Sequence, residues 1–118
     1  MALVDKIENV MKENLGDMDG VKKTYKRLLI GPDQKPEFYM RYFIVEPGGN
    51  TPNHVHNWEH QNIFMKGKGI LVTEDGEKEV KSNMFGYVPA GERHQFKNPF
   101  DEPFEFICLI PSPEKGDK

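Results

Sequence analysis

From Tyr25 onward the chain alternates short apolar-rich segments with breaks that contain glycine and proline, and this pattern constrains its fold more than any other feature. Eight segments have the length and the β-branched and aromatic content of strands. They are residues 25–30, 37–46, 61–66, 69–75, 77–81, 84–88, 94–98 and 104–110. Many short strands with tight turns in one domain favour an antiparallel sandwich or barrel. The Asp75-Gly76 pair between two of them predicts a type I′ hairpin turn.

The N-terminal part of the chain has a weaker pattern. Residues 4–14 fit either a weak helix with one apolar stripe or an extended arm. We therefore divide the chain into three parts. These are residues 1–30, an arm and first strand that pack on the barrel or on a partner subunit; residues 31–111, the barrel; and residues 112–118, a polar tail.

Composition narrows the class of protein. At 118 residues the chain has the length of one domain, and its eight Phe, four Tyr and one Trp supply bulky core material. The net charge of −3, with no basic patch or acidic tract, argues against nucleic acid and anionic membranes as partners. No segment is long and apolar enough to span a bilayer, and the charged start MALVDKIENVMKEN lacks the apolar run of a signal peptide. The single cysteine, Cys108, excludes an internal disulfide, so we expect a cytoplasmic protein.

The histidines are concentrated in one short segment. Three of the four, His54, His56 and His60, fall within seven positions. In an extended segment His54 and His56 point to the same face, and three intervening residues allow His60 to return to it at the start of the next strand. His94 opens a later strand after a Pro-Ala-Gly turn. Imidazoles that converge inside a barrel would suit Zn, Cu, Fe or Ni, whereas four unrelated surface histidines are the alternative.

The spacing around these histidines resembles the two sequence motifs of the cupin superfamily. The spacing is Gly48-x5-His54-x-His56-x3-His60-x6-Gly67, followed by Pro89-x-Gly91-x2-His94-x3-Asn98. Fifteen residues separate Gly67 from Asn83, which resembles the short spacing of small microbial single-domain cupins. The resemblance covers about residues 37–110. It implies an all-β cupin fold, a double-stranded β-helix or jelly-roll antiparallel barrel, with an N-terminal arm.

Two departures from the cupin pattern affect the expected site. Cupins usually have a glutamate where this chain has His60, and the neighbouring Glu59 points to the other face of the strand. The chain is instead similar to a subgroup of small cupins with four histidines and similar WEH and FxCLIP segments. The metal ligands implied by that resemblance are His54, His56, His60 and His94. At Asn83 the usual glycine is replaced by a residue that tolerates positive φ.

The resemblance also implies one divalent transition metal per chain, with manganese or iron favoured over nickel, copper or zinc. Four neutral imidazoles leave the ion its full charge and suit a chelating anion such as an enolate, a 2-oxo acid or a phenol. We interpret the chain as a metal-dependent oxygenase or other oxidoreductase, of dioxygenase type, acting on a small enolisable or aromatic substrate; its catalytic residues are not assigned. The alternative is a cupin that binds a small molecule or metal without turnover. A metal-dependent isomerase fits less well, because the missing glutamate removes the obvious general base.

Strand alternation predicts the wall of a mainly apolar substrate pocket. The residues assigned to it are Arg41, Asn62, Phe64, Phe104, Phe106, Cys108 and Ile110. Arg41 either faces inward and holds a substrate carboxylate or lies solvated on the outer face. Asn62 is either a pocket hydrogen-bond donor or bonded to loop backbone, and Cys108 is interpreted as a small buried apolar residue. Trp58 belongs either to the rim of the pocket or to a subunit interface.

The outer face of the sheet also carries apolar residues. Ile63, Met65, Ile107 and Leu109 alternate with the predicted pocket residues. An apolar face of this kind needs a cover. Small cupins are commonly dimers with exchanged N-terminal strands, so the resemblance implies a homodimer in which residues 1–30 take part.

Overall fold

The computed structural model describes residues 2–113, so of the predicted tail only residues 112 and 113 fall inside it. The described residues form nine strands and two single-turn 3-10 helices, Ile7–Asn9 and Pro32–Gln34. The strands are β1 (Glu13–Asn14), β2 (Lys22–Ile30), β3 (Phe38–Asn50), β4 (His60–Lys66), β5 (Lys68–Thr73), β6 (Gly76–Lys81), β7 (Phe85–Val88), β8 (His94–Lys97) and β9 (Phe104–Pro111). No helix within residues 2–113 is long and apolar enough to cross a membrane.

All strand pairs are antiparallel, in the order β6-β5-β8-β3-β9-β4-β7, with β2 on β3 and β1 on β2. The sheet closes almost completely into a barrel, so the predicted all-β antiparallel barrel is confirmed. Each of the eight predicted strand segments overlaps a strand of the structure. The central strands β3 and β9 bring residues that are far apart in the sequence together in the middle of the sheet.

The N-terminal segment contains no helix longer than one turn. It is otherwise largely extended, and β1 pairs with β2. The guanidinium of Arg27 on β2 donates hydrogen bonds to the carbonyl oxygens of Glu8 and Val10, which attaches this segment to the sheet. Backbone pairing and the Arg27 side chain thus attach residues 2–14 to the sheet, and none of the apolar side chains in that range is buried.

The hairpin between β5 and β6 differs from the prediction. A type I′ turn needs positive φ at both central residues. Here Glu74 and Asp75 are not among the residues with positive φ, and the positive value of 115° falls on Gly76. A glycine that follows the turn in this way is typical of a type I turn with a glycine bulge, so the predicted turn type is wrong.

The interior is organised in rows of side chains that cross the central strands. In one row Lys26, Phe43, Phe106 and Phe64 are successive partners on β2, β3, β9 and β4. In the next row Leu28, Arg41, Cys108 and Asn62 are partners on the same strands. The row of aromatic rings is closely packed: the ring centroids of Phe43 and Phe106 are 5.3 Å apart. The second row lies beside it and adjoins His60, which contacts Cys108.

Candidate metal site

The loop that carries His54 and His56 is bonded to the turn before β8 and to His94, the first residue of that strand. His54 and His94 form a two-residue antiparallel bridge in which each backbone amide donates to the other residue's carbonyl, at 3.3 and 3.1 Å. The amide of Gly91 donates to the carbonyl of His56 at 2.7 Å. Gly91 has a φ of 84°, so glycine permits the turn that makes this bond. Backbone pairing therefore fixes the position of this loop relative to the start of β8.

The imidazoles of His54, His56 and His94 point to one place. The Nε2 atoms of His54 and His56 are 3.0 Å apart. One ligand atom from each of His54, His56 and His94 lies within 4.8 Å of the others. Two nitrogens bound in adjacent positions at ~2.1 Å from one ion are themselves ~3 Å apart, so the separation of His54 and His56 fits metal ligation.

Neighbouring groups orient the rings of His94 and His56. Nδ1 of His94 donates to the carbonyl of Glu92 at 3.1 Å, which leaves Nε2 with a free lone pair. The ring of His56 stacks on Trp58, with centroids 4.3 Å apart and planes at 12°. Trp58 also packs against the core, so it supports the ring of His56.

His60 lies beside this group on β4. Its ring centroid is 4.5 Å from that of His94 and 5.2 Å from that of His56. Its Nδ1 is 3.3 Å from Sγ of Cys108, whereas its buried Nε2 has no hydrogen-bond partner among the described residues. The structure thus groups three histidines tightly and places the fourth next to them with an unsatisfied nitrogen.

All four imidazoles favour the neutral form that a metal ligand requires. Burial and the neighbouring His56 lower the pKa of His54 to about 4, and burial and His94 lower the pKa of His60 to about 3. Burial also lowers the pKa of His56 and of His94. The positive charge of Arg41 is a further cause at all four positions.

A cavity of about 160 Å³ adjoins the histidines. Besides the four histidines, it is lined by Leu15, Met18, Lys26, Arg41, Phe43, Thr51, Pro52, Phe96, Phe106 and Cys108. None of the described residues in its lining is an aspartate or a glutamate. The cavity combines aromatic and aliphatic side chains with polar ones, which are the four histidines, Lys26, Arg41 and Thr51.

The predicted pocket residues divide into two groups. Arg41, Phe106 and Cys108 line the cavity. Asn62, Phe64, Phe104 and Ile110 are buried but lie outside the lining. Asn62 faces Cys108 across β4 and β9, and its side-chain amide has no hydrogen-bond partner among residues 2–113.

Sequence reasoning missed Leu15, Met18 and Lys26, which reach the cavity from the N-terminal part of the chain. Leu15 and Met18 flank a turn whose position depends on the pairing of Leu15 with Thr24. No local pattern predicts that placement. Strand alternation on β2 gives a signal for Lys26, because it shares a face with Leu28, which packs on the core.

Comparison with known proteins gives one family match and several relatives. The Cupin_2 family, described as a cupin domain, matches residues 41–110. A 1-methylthio-D-xylulose 5-phosphate methylsulfurylase from Rhodospirillum rubrum is 31% identical over 71 residues, which is 60% of this chain and 46% of that protein. The chain therefore spans about half the length of this curated relative.

Solved structures with the same fold have varied chemistries. The polyketide cyclase RemF from Streptomyces resistomycificus is 30% identical, with a TM-score of 0.87 over 94% of this chain and 80% of that one. A predicted oxalate decarboxylase from Thermotoga maritima is 18% identical, with a TM-score of 0.84 over 93% of this chain and 99% of that one. At that lower identity the likeness extends to the fold alone, and fold does not determine reaction.

Proposed function

This chain belongs to the cupin domain family, and from that membership we propose that it is a metal-dependent enzyme acting on a small chelating molecule. The proposed ligands are His54, His56, His60 and His94, which would hold one divalent transition metal, manganese or iron in the first place. The reaction proposed first is oxidative, as in an oxygenase or a related oxidoreductase, on an enolisable or aromatic substrate.

The convergence of imidazole nitrogens carries this proposal. The 3.0 Å separation of Nε2 in His54 and His56 fits two neighbouring ligands of one ion. The Glu92 carbonyl occupies Nδ1 of His94 and leaves its Nε2 available. The buried, unsatisfied Nε2 of His60 supports a role as fourth ligand, because an unpaired buried polar atom is costly unless something binds it.

The residues around the site suit a small chelating substrate with an apolar ring or carbon chain. A divalent transition metal held there would supply Lewis acidity and, if it is iron, manganese or copper, redox capacity. Phe43, Phe96 and Phe106 would exclude water from the substrate and from the imidazoles. The absence of aspartate and glutamate from the described lining disfavours an isomerase that moves protons with a carboxylate base.

A second candidate reaction is ring closure without oxidation. The likeness to polyketide cyclase RemF at 30% identity over most of both chains supports it. Such a reaction needs the same metal site and an enolisable substrate, and Lewis acidity alone would serve it. The two candidates therefore share a site and differ in the need for dioxygen.

Metal content is the first test of the proposal. Untagged protein purified without added metal or chelator should contain about one manganese, iron or copper per chain. His94→Ala should lose it, and Asn57→Ala, an exposed position between His56 and Trp58, should retain it. Only zinc, or mixed metals in small amounts, would shift the assignment to Lewis-acid chemistry or to binding without turnover. No metal in wild-type protein after reconstitution would refute the metal site.

Oxygen consumption separates the candidate reactions. The loaded protein is incubated with a catechol or with a linear 1,3,5-triketone, which is enolisable and can close a ring with loss of water, and oxygen uptake and product mass are measured. Uptake with a product containing added oxygen supports an oxygenase. A product of unchanged composition, or one that has lost water, supports ring closure, and binding without product supports a non-catalytic cupin.

A further inference from the structure

Arg41 is a cation on the inner face of the barrel with no carboxylate partner among the described residues. Its Nη2 donates to Sγ of Cys108 at 3.0 Å, and its buried Nε has no hydrogen-bond partner within residues 2–113. The guanidinium carbon lies 5.0 Å from the ring centroid of Phe43. A guanidinium has five N–H donors, and a thiol is a weak acceptor. The group is thus partly desolvated and largely unsatisfied on the side of the cavity.

Lys26 brings a second cation to the same cavity. On β2 it pairs with Phe43, and Arg41 pairs with Leu28, so Lys26 and Arg41 are diagonal neighbours on one face of the sheet. Diagonal positions across paired strands are ~7–8 Å apart, within reach of long side chains. Glu13 lies opposite Lys26 on β1, yet it does not line the cavity.

Arg41 and Lys26 make the charge of the cavity lining positive. Both line it, and the described lining contains no carboxylate. A partly buried cation without a counter-charge is unfavourable, so an anion that enters the cavity relieves that cost.

We propose that Arg41 and Lys26 form an anion subsite and that the molecule bound beside the histidines carries a carboxylate or phosphate group. Arg41 would bind two oxygens of that group with its planar fork, and Lys26 would add a mobile charge. This deepens the proposed function, because it assigns a substrate class to the same cavity. The binding of an anion there does not require the metal, and only the role of that anion as a substrate rests on the proposed function.

The cavity also limits the size of the ligand. At about 160 Å³ it is close to the ~150 Å³ of a dry engineered cavity that accommodates benzene. A single ring or a short carbon chain with one anionic group fits that space. A larger molecule would have to extend out of the cavity.

Benzoate and benzamide test the subsite, because they share a ring and differ in charge. Their dissociation constants are measured by calorimetry or by NMR titration with chelator-treated, metal-free protein. Wild-type protein should bind benzoate roughly ten- to a hundredfold more tightly than benzamide, as expected for charge-assisted hydrogen bonds. Phenyl phosphate is the third probe, and the tighter of the two anions identifies the group preferred.

Variants assign the preference to the two cations. Arg41→Met should abolish the preference for benzoate, Arg41→Lys should retain part of it, and Lys26→Met should reduce it. Lys78→Met is the matched control, because Lys78 is an exposed strand lysine on β6 and should leave the preference unchanged. Thermal unfolding of each variant shows whether it is folded. If Arg41→Met does not fold, the two single variants Arg41→Lys and Lys26→Met test the subsite.

Three results would overturn the inference: equal binding of benzoate and benzamide, binding of neither up to tens of millimolar, or an undiminished preference in folded Arg41 variants. His94→Ala separates this inference from the metal proposal. That variant should lose metal and still prefer benzoate, because the anion subsite does not include His94. A wild-type protein that binds no metal but prefers benzoate would refute the metal site and leave the subsite standing.

Discussion

At the scale of single residues, a histidine can bind a metal only through a ring nitrogen that no other group occupies, and His94 and His60 each have such a nitrogen. The Glu92 carbonyl occupies Nδ1 of His94, and Cys108 lies against Nδ1 of His60. In both rings these contacts involve Nδ1, so Nε2 remains available to bind a metal. Second-neighbour contacts of this kind orient metal ligands and set their tautomer.

The burial of His54 and His60 should make the stability of the metal-free protein depend on pH. The folded-state pKa values of His54, about 4, and His60, about 3, lie below the ordinary value of 6.5. Between pH 6.5 and these values the unfolded chain binds protons that the folded chain does not, so the free energy of unfolding falls as pH is lowered through this range. Urea unfolding at pH 7, 6 and 5 measures the slope.

A histidine variant isolates this effect from other titrating groups. His60→Asn should give a shallower decline with falling pH than wild type. Gln61→Asn, an exposed change on the same strand, should reproduce the wild-type slope. Identical slopes in all three proteins would contradict the assignment to His60.

Much of the residue-level site follows from alternation along strands. The two-residue spacing of His54 and His56 predicts that they share a face, and their Nε2 atoms are in fact 3.0 Å apart. The orientation of Arg41 could not be decided in this way, because both faces of its strand are apolar. It depends on which strands pair with β3, and the partner Cys108 on the buried face of β9 places Arg41 inward.

At the scale of elements, the turn between β4 and β5 depends on Gly67. Its φ is 66°, and a Cβ added there would lie 2.1 Å from the carbonyl oxygen of Pro103. Gly67→Ala should lower the free energy of unfolding by ~2 kcal/mol or more, since it combines left-handed backbone with a clash against rigid main chain. Urea unfolding at pH 7 measures the loss.

Gly20→Ala is the matched control for that prediction. Gly20 has a similar φ of 80°, but no atom lies within 4 Å of the added Cβ. Gly20→Ala should lower the free energy of unfolding by only ~1 kcal/mol, because only the left-handed backbone disfavours alanine there. An equal loss in the two variants would show that contact with Pro103 is unimportant.

Elements were predictable where the local pattern was strong and less so where tertiary contacts decide. The eight strands have alternating or aromatic patterns, and all appear. The two-residue β1 forms only because it pairs with the edge strand β2, a contact that its own sequence does not predict. β3 continues past Glu46 to Asn50 because Asn50 pairs with Lys97 and with Lys22, contacts that its local Pro-Gly-Gly sequence does not reveal.

On the scale of the whole molecule, the outer face of β4 and β7 is apolar and exposed. Ile63 and Phe85 are directly opposite each other and are 54% and 82% exposed. Met65 and Tyr87 extend the patch, and the apolar residues of the N-terminal arm, including Val4, are also exposed. Within residues 2–113 nothing covers either surface, and patches of this kind mark interfaces.

We therefore propose a homodimer that buries the β4–β7 face, with the N-terminal arms taking part. Light scattering after size exclusion should give twice the chain mass for wild type. Phe85→Lys should shift the protein towards monomer, because it places a charge in the centre of the apolar contact. Glu77→Lys, at an exposed position on β6, a strand that pairs with β5 and not with β4 or β7, should remain dimeric. A monomeric wild-type protein, or a Phe85→Lys variant that remains dimeric, would contradict the proposal.

The central position of β3 and β9 has a consequence for the order in which the protein folds. Arg41 on β3 and Cys108 on β9 meet only after two strands that are far apart in the sequence have paired, and His60 lies on β4, which pairs with β9. Pairing of distant strands is slow, because the entropy of closing the intervening chain is lost before the contacts form. The metal site should accordingly be completed late, and the ion would then bind a nearly finished barrel and not act as a nucleus for its folding.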